Sequence, residues 1–369
     1  MQQIPFKDFK LIQALQTDPL ISMKELASKI DISWPTVKKR YNRMVEEGII
    51  GLPVAIYKVE TLGLIRMSVI AKVWTMELLK KLELACDIHP YTHYRSRFFG
   101  EHFGLLMQFD VPNNSEAQEN LKLFLDELLM RKNIIYDYDL FASTGIRTET
   151  YPDLQNFDHE NQLWKFNWQD WFSSVHEEPY IDFQRITPLD YKELSPIKLN
   201  FLRTISANGG IKQTELRQKY ELSRTDTHRI YNFVMNKLVS TIRLNYNHEY
   251  FDLTETFLVQ INSLSQTDKN LLYYLFKENP PPYRMALDLL ENDKALIWGN
   301  LTPKQSNEFL FLLWETFPSL QSLRLDTNQN GSMIYWFYPQ NFNFEQNDWK
   351  FSYEYMFETP MKEINEKFS

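Results

Sequence analysis

Residues 21–50 read ISMKELASKIDISWPTVKKRYNRMVEEGII. Ser22 stands three residues before Glu25, the spacing of a capping box, so a helix is predicted to start at Met23. Leu26 and Ile30 continue its apolar face. Asp31-Ile32-Ser33 reads as a tight turn. Ser33 is placed to cap the next helix, with Pro35 in its first turn, where a missing N–H costs nothing. Val37, Tyr41, Met44 and Val45 recur at helical spacing, and Gly48 ends the run. Upstream, 7–17 has the apolar spacing of another helix, broken by Asp18-Pro19. Downstream, 49–59 reads as a short β-ribbon, a wing. Three short helices with a tight turn between the last two make a helix-turn-helix.

The third helix carries Lys38, Lys39, Arg40 and Arg43 before any acid appears at Glu46. Four cations off the apolar face suit contacts to phosphates. Ser33, Trp34 and Thr36 lie at the end of the helix that meets base edges in such motifs. The pattern Ile21-x3-Glu25-Leu26-Ala27, then Ser33-x2-Thr36-Val37-x2-Arg40-x2-Arg43-x2-Glu46-x-Gly48-Ile49-Ile50, resembles the Lrp/AsnC (leucine-responsive, feast/famine) transcription regulators. That resemblance implies a winged helix-turn-helix followed by a βαββαβ effector domain, and a dimer or larger assembly bound to double-stranded DNA.

Shifting the chain by 190 residues aligns 11–50 with 201–240. Identities fall at Ile21/Ile211, Glu25/Glu215, Leu26/Leu216, Lys29/Lys219, Ser33/Ser223, Tyr41/Tyr231 and Asn42/Asn232. A second match pairs Tyr151-Pro152, Asn156-Phe157 and Trp164-Lys165-Phe166 with Tyr338-Pro339, Asn341-Phe342 and Trp349-Lys350-Phe351. The period is too long for a solenoid and reads as a tandem duplication. The second helix-turn-helix departs from the pattern: Asp226 replaces Thr36, Ile230 replaces Arg40 and Phe233 replaces Arg43. Its cations and polar groups, Ser223, Arg224, Thr225, His228 and Arg229, make a weaker DNA surface.

Between the repeats, 65–74, 91–99, 103–109 and 134–140 read as strands, with helices over 76–86 and 115–132. The same order recurs at 257–264, 268–278, 283–289, 295–300, 303–317 and 320–325, with 332–338 as an added strand. The expected fold class is α+β: two tandem units, each a winged helix-turn-helix followed by a ferredoxin-like βαββαβ domain and an aromatic C-terminal extension. The expected boundaries are 1–60 and 61–176 for the first unit, 177–194 for a linker containing Pro179 and Pro188, and 195–255 and 256–369 for the second. The aromatic stripes, Trp164, Trp168, Trp171 and Phe172 with Trp349, Tyr353 and Phe357, are expected to pack on the domain that precedes each of them.

The net charge of −8 over 369 residues argues at first against a nucleic-acid partner. Residues 1–60 nevertheless carry +2 and 195–255 carry +3, leaving −13 for the rest, the layout of basic readers on an acidic body. The single cysteine, Cys86, allows no intrachain disulfide, which fits a cytoplasmic protein. No window is apolar enough to span a bilayer, so no membrane partner is expected.

The leading expectation is a sequence-specific transcription regulator, not an enzyme. It would have a pseudo-dimer built from its own two units, with room for further homodimerisation. The resemblance implies a small-molecule effector at the hairpin 100–104, where Glu101 and His102 are the candidates, although the family's Asp is missing there. No cofactor is expected, and His89, His93 and His102 are weighed as a metal set and set aside. Two alternatives remain. One is an enzyme of haem biosynthesis similar to the siroheme decarboxylases, which use His and Arg around a tetrapyrrole; His89, His93, Arg95, Arg97 and His102 are its candidates. The other is a protein-interaction scaffold using the aromatic stripes.

Overall fold

The computed structural model describes residues 3–175, 181, 183, 186–328 and 330–368. Pro179 and part of the expected linker lie outside them. The first unit runs α1 (Phe6–Thr17), α2 (Met23–Lys29), α3 (Trp34–Glu46), β1 (Val54–Tyr57), β2 (Leu64–Lys72), α4 (Met76–Ile88), β3 (Thr92–Phe99), β4 (Gly104–Pro112), α5 (Ser115–Met130) and β5 (Asp137–Thr150). A two-strand hairpin, β6 (Phe157–Asp158) and β7 (Leu163–Trp164), and the short α6 (Trp168–Ser173) follow. The second unit repeats this order with α7 (Pro196–Ala207), α8 (Gln213–Lys219), α9 (Arg224–Phe233), β8 (Val239–Arg243), β9 (Glu255–Ile261), α10 (Gln266–Lys277), β10 (Arg284–Leu290), β11 (Lys294–Leu301), α11 (Pro303–Thr316) and β12 (Leu320–Leu325). It ends with β13 (Ser332–Ile334), the hairpin β14 (Phe342–Asn343) and β15 (Asp348–Trp349), and α12 (Thr359–Phe368). The fold class is the expected one, two tandem units of the same build.

Local chemistry explains the starts of these elements. Ser22 and Glu25 form the reciprocal capping box. Ser265 and Asp268 do the same for α10. Ser33 departs from expectation: it sits at the start of α3, but its hydroxyl pairs with Thr36 Oγ1 at 2.8 Å and caps no backbone amide.

Each ferredoxin-like unit makes a four-stranded sheet, β5-β2-β4-β3 and β12-β9-β11-β10. The sheets join along both edges, through β5–β10 and through β12 and β13 on β3, so the eight main strands close on themselves. Closure leaves no bare sheet edge. One face of every strand turns to the helices and the other turns inward. Ile70, Phe98, Leu106, Leu258, Leu290 and Leu296 fill part of the interior. The rest is polar, with Arg66 bidentate on Asp110 at 2.7 and 2.8 Å, and Ser143 donating to Asp288.

Two elements differ from the sequence reading because they are completed by the other unit. The segment 49–59 is no self-contained ribbon: β1 pairs antiparallel with β8 across the molecule. The last strand of the first ferredoxin-like unit continues to Thr150, far beyond residue 140, because its second half pairs with β10. Gly145, at φ 81°, sits in the kink where the register of that pairing shifts.

The aromatic extensions also cross over, which corrects the expectation that each packs on its own preceding domain. Trp168 stacks on Tyr283 and Trp171 lies edge-on to Phe276, both in the second unit. Trp164 Nε1 donates to Phe251 O at 2.8 Å, and Trp349 Nε1 donates to Leu62 O at 2.8 Å. The helix-turn-helix segments follow the same rule. The core of α1–α3 is continuous with the second sheet, and the core of α7–α9 with the first. Neither unit therefore buries its apolar surface alone. No helix among the described residues is long and apolar enough to cross a membrane.

Candidate functional site

The basic helix α3 is largely spoken for. Asp8, fully buried in α1, accepts from Arg40 Nη1 at 2.8 Å and from Arg43 Nη2. Arg43 also reaches Glu47 at 3.7 Å. Trp34 is exposed, with Lys38 Nζ 5.4 Å from its ring, and Lys39 is exposed beside it. Thr36 is held by Ser33. Two of the four expected phosphate ligands thus neutralise an internal acid. Removing it by Asp8→Ala should cost about 1–3 kcal/mol, because both arginines lose a charged acceptor yet can turn to solvent. Urea unfolding would measure it, and an unchanged midpoint would contradict this account.

In α9, Ser223 accepts from Asp226 N, while Asp226 takes Arg229 at 2.9 Å. His228 spans Gln213 and Asn232, and Arg224 and Thr225 are exposed. Glu101 is exposed at the β3–β4 hairpin, and His102 Nδ1 lies 3.0 Å from the Tyr136 hydroxyl.

The histidines set aside as a metal set are dispersed. His89 is buried against Phe109 and Phe124, and burial lowers its pKa to about 3. His93 points into the sheet interior. No group of three His, Cys, Asp or Glu side chains among the described residues is placed to hold a metal. Of the arginines considered with them, Arg95 is tied to Glu83 and Asp87, and Arg97 to Glu83.

A different set of residues makes a site. A cavity of about 170 Å³ opens where β8, the start of β10, the end of β5 and the end of α1 meet. Its polar wall is Gln16, Arg243, Tyr246, His248 and Arg284; Ile242, Leu244 and Pro152 supply apolar surface. Neither Arg243 nor Arg284 has a salt-bridge partner among the described residues; Arg284 lies 5.0 Å over the Trp298 ring. The nearby acid, Glu149, is engaged by Arg147 at 2.8 Å and by the Tyr151 hydroxyl at 3.0 Å. Burial, and then repulsion from Arg243, lowers the Arg284 pKa to about 10. Burial, and then Arg284, lowers His248 to about 3, so its imidazole is neutral at pH 7. The Tyr246 hydroxyl and the Gln16 amide nitrogen, both buried, lack a hydrogen bond of normal geometry among the described residues. Buried donors and cations left unanswered at one cavity favour an anionic ligand.

The corresponding place in the first unit is built otherwise. Tyr57 donates to Asp110 Oδ2 at 2.7 Å and lies 3.1 Å from His93 Nδ1. Burial alone would raise Asp110, but Arg66 and His93 bring it down to about 2. Burial and Arg66 lower His93 to about 4. Phe337 packs on Tyr57 at 5.3 Å, and the space left is about 20 Å³.

Of the candidate site residues named from the sequence, only His93 lies at either cavity, although the repeat markers Tyr151, Pro152, Tyr338, Asn341 and Trp349 also line them. Arg243, Tyr246, His248 and Arg284 went unnoticed because β8 and β10 are remote in the chain and meet only through the joined sheets. The Tyr246-x-His248 pair was the sole local signal.

A winged helix-turn-helix DNA-binding family model matches residues 7–50. No curated protein matches the chain. Among solved structures, the siroheme decarboxylase NirDL in complex with an iron-uroporphyrin III analogue matches 98% of this chain and 100% of its own, at 12% identity and TM-score 0.52. A second structure of siroheme decarboxylase NirDL covers 98% and 99%, at 13% identity and TM-score 0.50. An AsnC family transcriptional regulator from Agrobacterium tumefaciens covers only 38% of this chain, at 19% identity and TM-score 0.32. These matches correct the expectation of a transcription regulator without enzymatic activity. The fold shared from end to end is one solved for a siroheme decarboxylase.

Proposed function

We propose that this chain binds an acid-bearing tetrapyrrole through the cavity at Arg243 and Arg284 and removes carboxyl groups from it, in the manner of a siroheme decarboxylase. The observation that carries this reading is the pair of half-buried guanidinium groups that line one cavity and have no salt-bridge partner among the described residues. A carboxylate arm supplies the missing charge, and guanidinium groups bind carboxylates with paired N–H donors. A cavity of about 170 Å³ takes one such arm and not a macrocycle. The ring is therefore assigned to the mouth, beside Thr17, Pro19 and Asn245.

In the reaction the bond from the arm's methylene carbon to its carboxylate breaks and carbon dioxide leaves. The electron pair stays on the methylene carbon, which then takes a proton and becomes a methyl group. The two arginines anchor and orient the acidic arms. Neutral His248 and protonated Tyr246 are the groups beside them able to hold or pass a proton. Incubation of the full chain with siroheme, followed by mass spectrometry, should show loss of carboxyl groups. Siroheme recovered unchanged after incubation with equimolar protein would defeat the reading.

The repeat matches and the crossed cores support a tandem duplication as the origin of the two units. We take their boundaries as 1–60, 61–176, 195–255 and 256–369.

A further inference from the structure

The two units are images of one another in detail. Lys58 N donates to Leu238 O at 2.8 Å, and Asn247 N donates to Ile49 O at 2.9 Å. Gly63 and Asp252 both take left-handed backbone, at φ 70° and 59°. With the crossed tryptophan bonds, these pairs fix the correspondence: Tyr57 matches Tyr246, Val54 matches Arg243 and Val59 matches His248. The rung Arg66–Asp110 of the first sheet matches Thr256–Asn300 of the second. A bulge between Thr92 and Tyr94 turns His93 into the place that Arg284 holds in the second unit.

These exchanges reverse the chemistry. In the first unit the cation Arg66 comes with its own carboxylate, bound bidentately and almost wholly buried. Asp110 also takes the Tyr57 hydroxyl, so its charge faces the space where a ligand's acid would lie. Phe337 occupies much of that space, and the remaining 20 Å³ is about the room one water needs. In the second unit Thr256 and Asn300 carry no charge. Asn300 donates to Thr256 Oγ1 and to Leu253 O, and the cations come from Arg243 and Arg284, which have no salt-bridge partner among the described residues.

We infer that the chain has one working site for an acidic tetrapyrrole and not two, that Arg243 and Arg284 select it, and that the first unit's copy is shut by its Arg66–Asp110 pair and Phe337. The inference rests on the functional reading above. Like charge at Asp110 opposes an incoming carboxylate, and displacing that acid would strand Arg66 without a counter-charge. The fused chain thereby behaves as a pair in which one half binds and the other half completes the fold.

The test titrates the full chain with iron-uroporphyrin III, read by calorimetry and by absorbance. One equivalent per chain is expected. Arg284→Gln should weaken binding roughly thirtyfold or more, whereas the double variant Arg66→Thr/Asp110→Asn should leave the second unit's site at its original affinity. Adding Val54→Arg, His93→Arg and Phe337→Ala to that double variant gives the first unit the second unit's charges, clears the space, and should move the stoichiometry toward two. Two equivalents on the unaltered protein, or one equivalent indifferent to Arg284→Gln, overturns the asymmetry and leaves a tetrapyrrole-binding protein. No binding at any concentration overturns the asymmetry and the functional reading together. The unaltered protein and Arg284→Gln decide the matter even if the multiple variants fail to fold, since Arg284 has no salt-bridge partner among the described residues to lose.

Discussion

Arg284→Met should weaken tetrapyrrole binding and at the same time make the protein more stable. At neutral pH the guanidinium is charged in both the folded and unfolded chain, but burial and Arg243 disfavour the folded form, lowering its pKa from 12.5 to about 10. That difference corresponds to roughly 3 kcal/mol of destabilisation. The sign follows from linkage: a base depressed by folding destabilises at every pH below about 10, and the penalty fades as the pH rises past that value. Contact with the Trp298 face recovers part of it. Methionine keeps most of the volume and removes the charge, so a gain of about 1–4 kcal/mol is expected. Loss of a buried partner for a carboxylate should weaken binding by about 2–5 kcal/mol. Denaturant midpoints and ligand titration on the same preparation would show the two changes moving in opposite directions. A loss of stability, or retained affinity, would show that Arg284 is part of the scaffold and not of a site.

The counterpart in the first unit should behave in the opposite way. Asp110→Ala is expected to cost about 3–5 kcal/mol, because Arg66 is left as a buried cation without a partner and Tyr57 loses its acceptor. Replacing both members, as Arg66→Met/Asp110→Leu, should cost much less, since the uncompensated charge disappears with the pair. The pH dependence also separates the two. Asp110 has its pKa depressed to about 2. Its contribution is therefore complete above the ordinary value of 3.8 and is lost as the pH falls through about 2. Acid unfolding of the unaltered protein and of Asp110→Ala should converge in that window. Parallel curves down to the lowest pH would mean that Asp110 is not the group being titrated.

Much of the fold was legible because it is locally encoded. Ser22 and Glu25 announce a helix start, Leu121, Phe124, Leu125 and Leu128 give α5 its apolar stripe, and Tyr-Pro with Trp-Lys-Phe marks the end of each unit. The candidate site was far less so. Arg40 and Arg43 read as phosphate ligands because nothing in their own helix opposes them; Asp8, which does, lies in another helix. Arg95 and Arg97 looked free for the same reason, until Glu83 on α4 met them. Conversely nothing in the sequence around Arg243 or Arg284 marks the cavity that they share.

The sequence by itself determined the order of the elements, their repetition, and the helix-turn-helix and βαββαβ build of each unit. These follow from hydrophobic period and capping chemistry, which act over a few residues. Only the tertiary structure decided that the units exchange their helix-turn-helix and aromatic segments, that β1 finds β8 and β5 finds β10, and that two arginines line one cavity with no salt-bridge partner among the described residues. Charge compensation depends on distance in space, and a closed sheet brings together residues whose separation along the chain carries no trace of it.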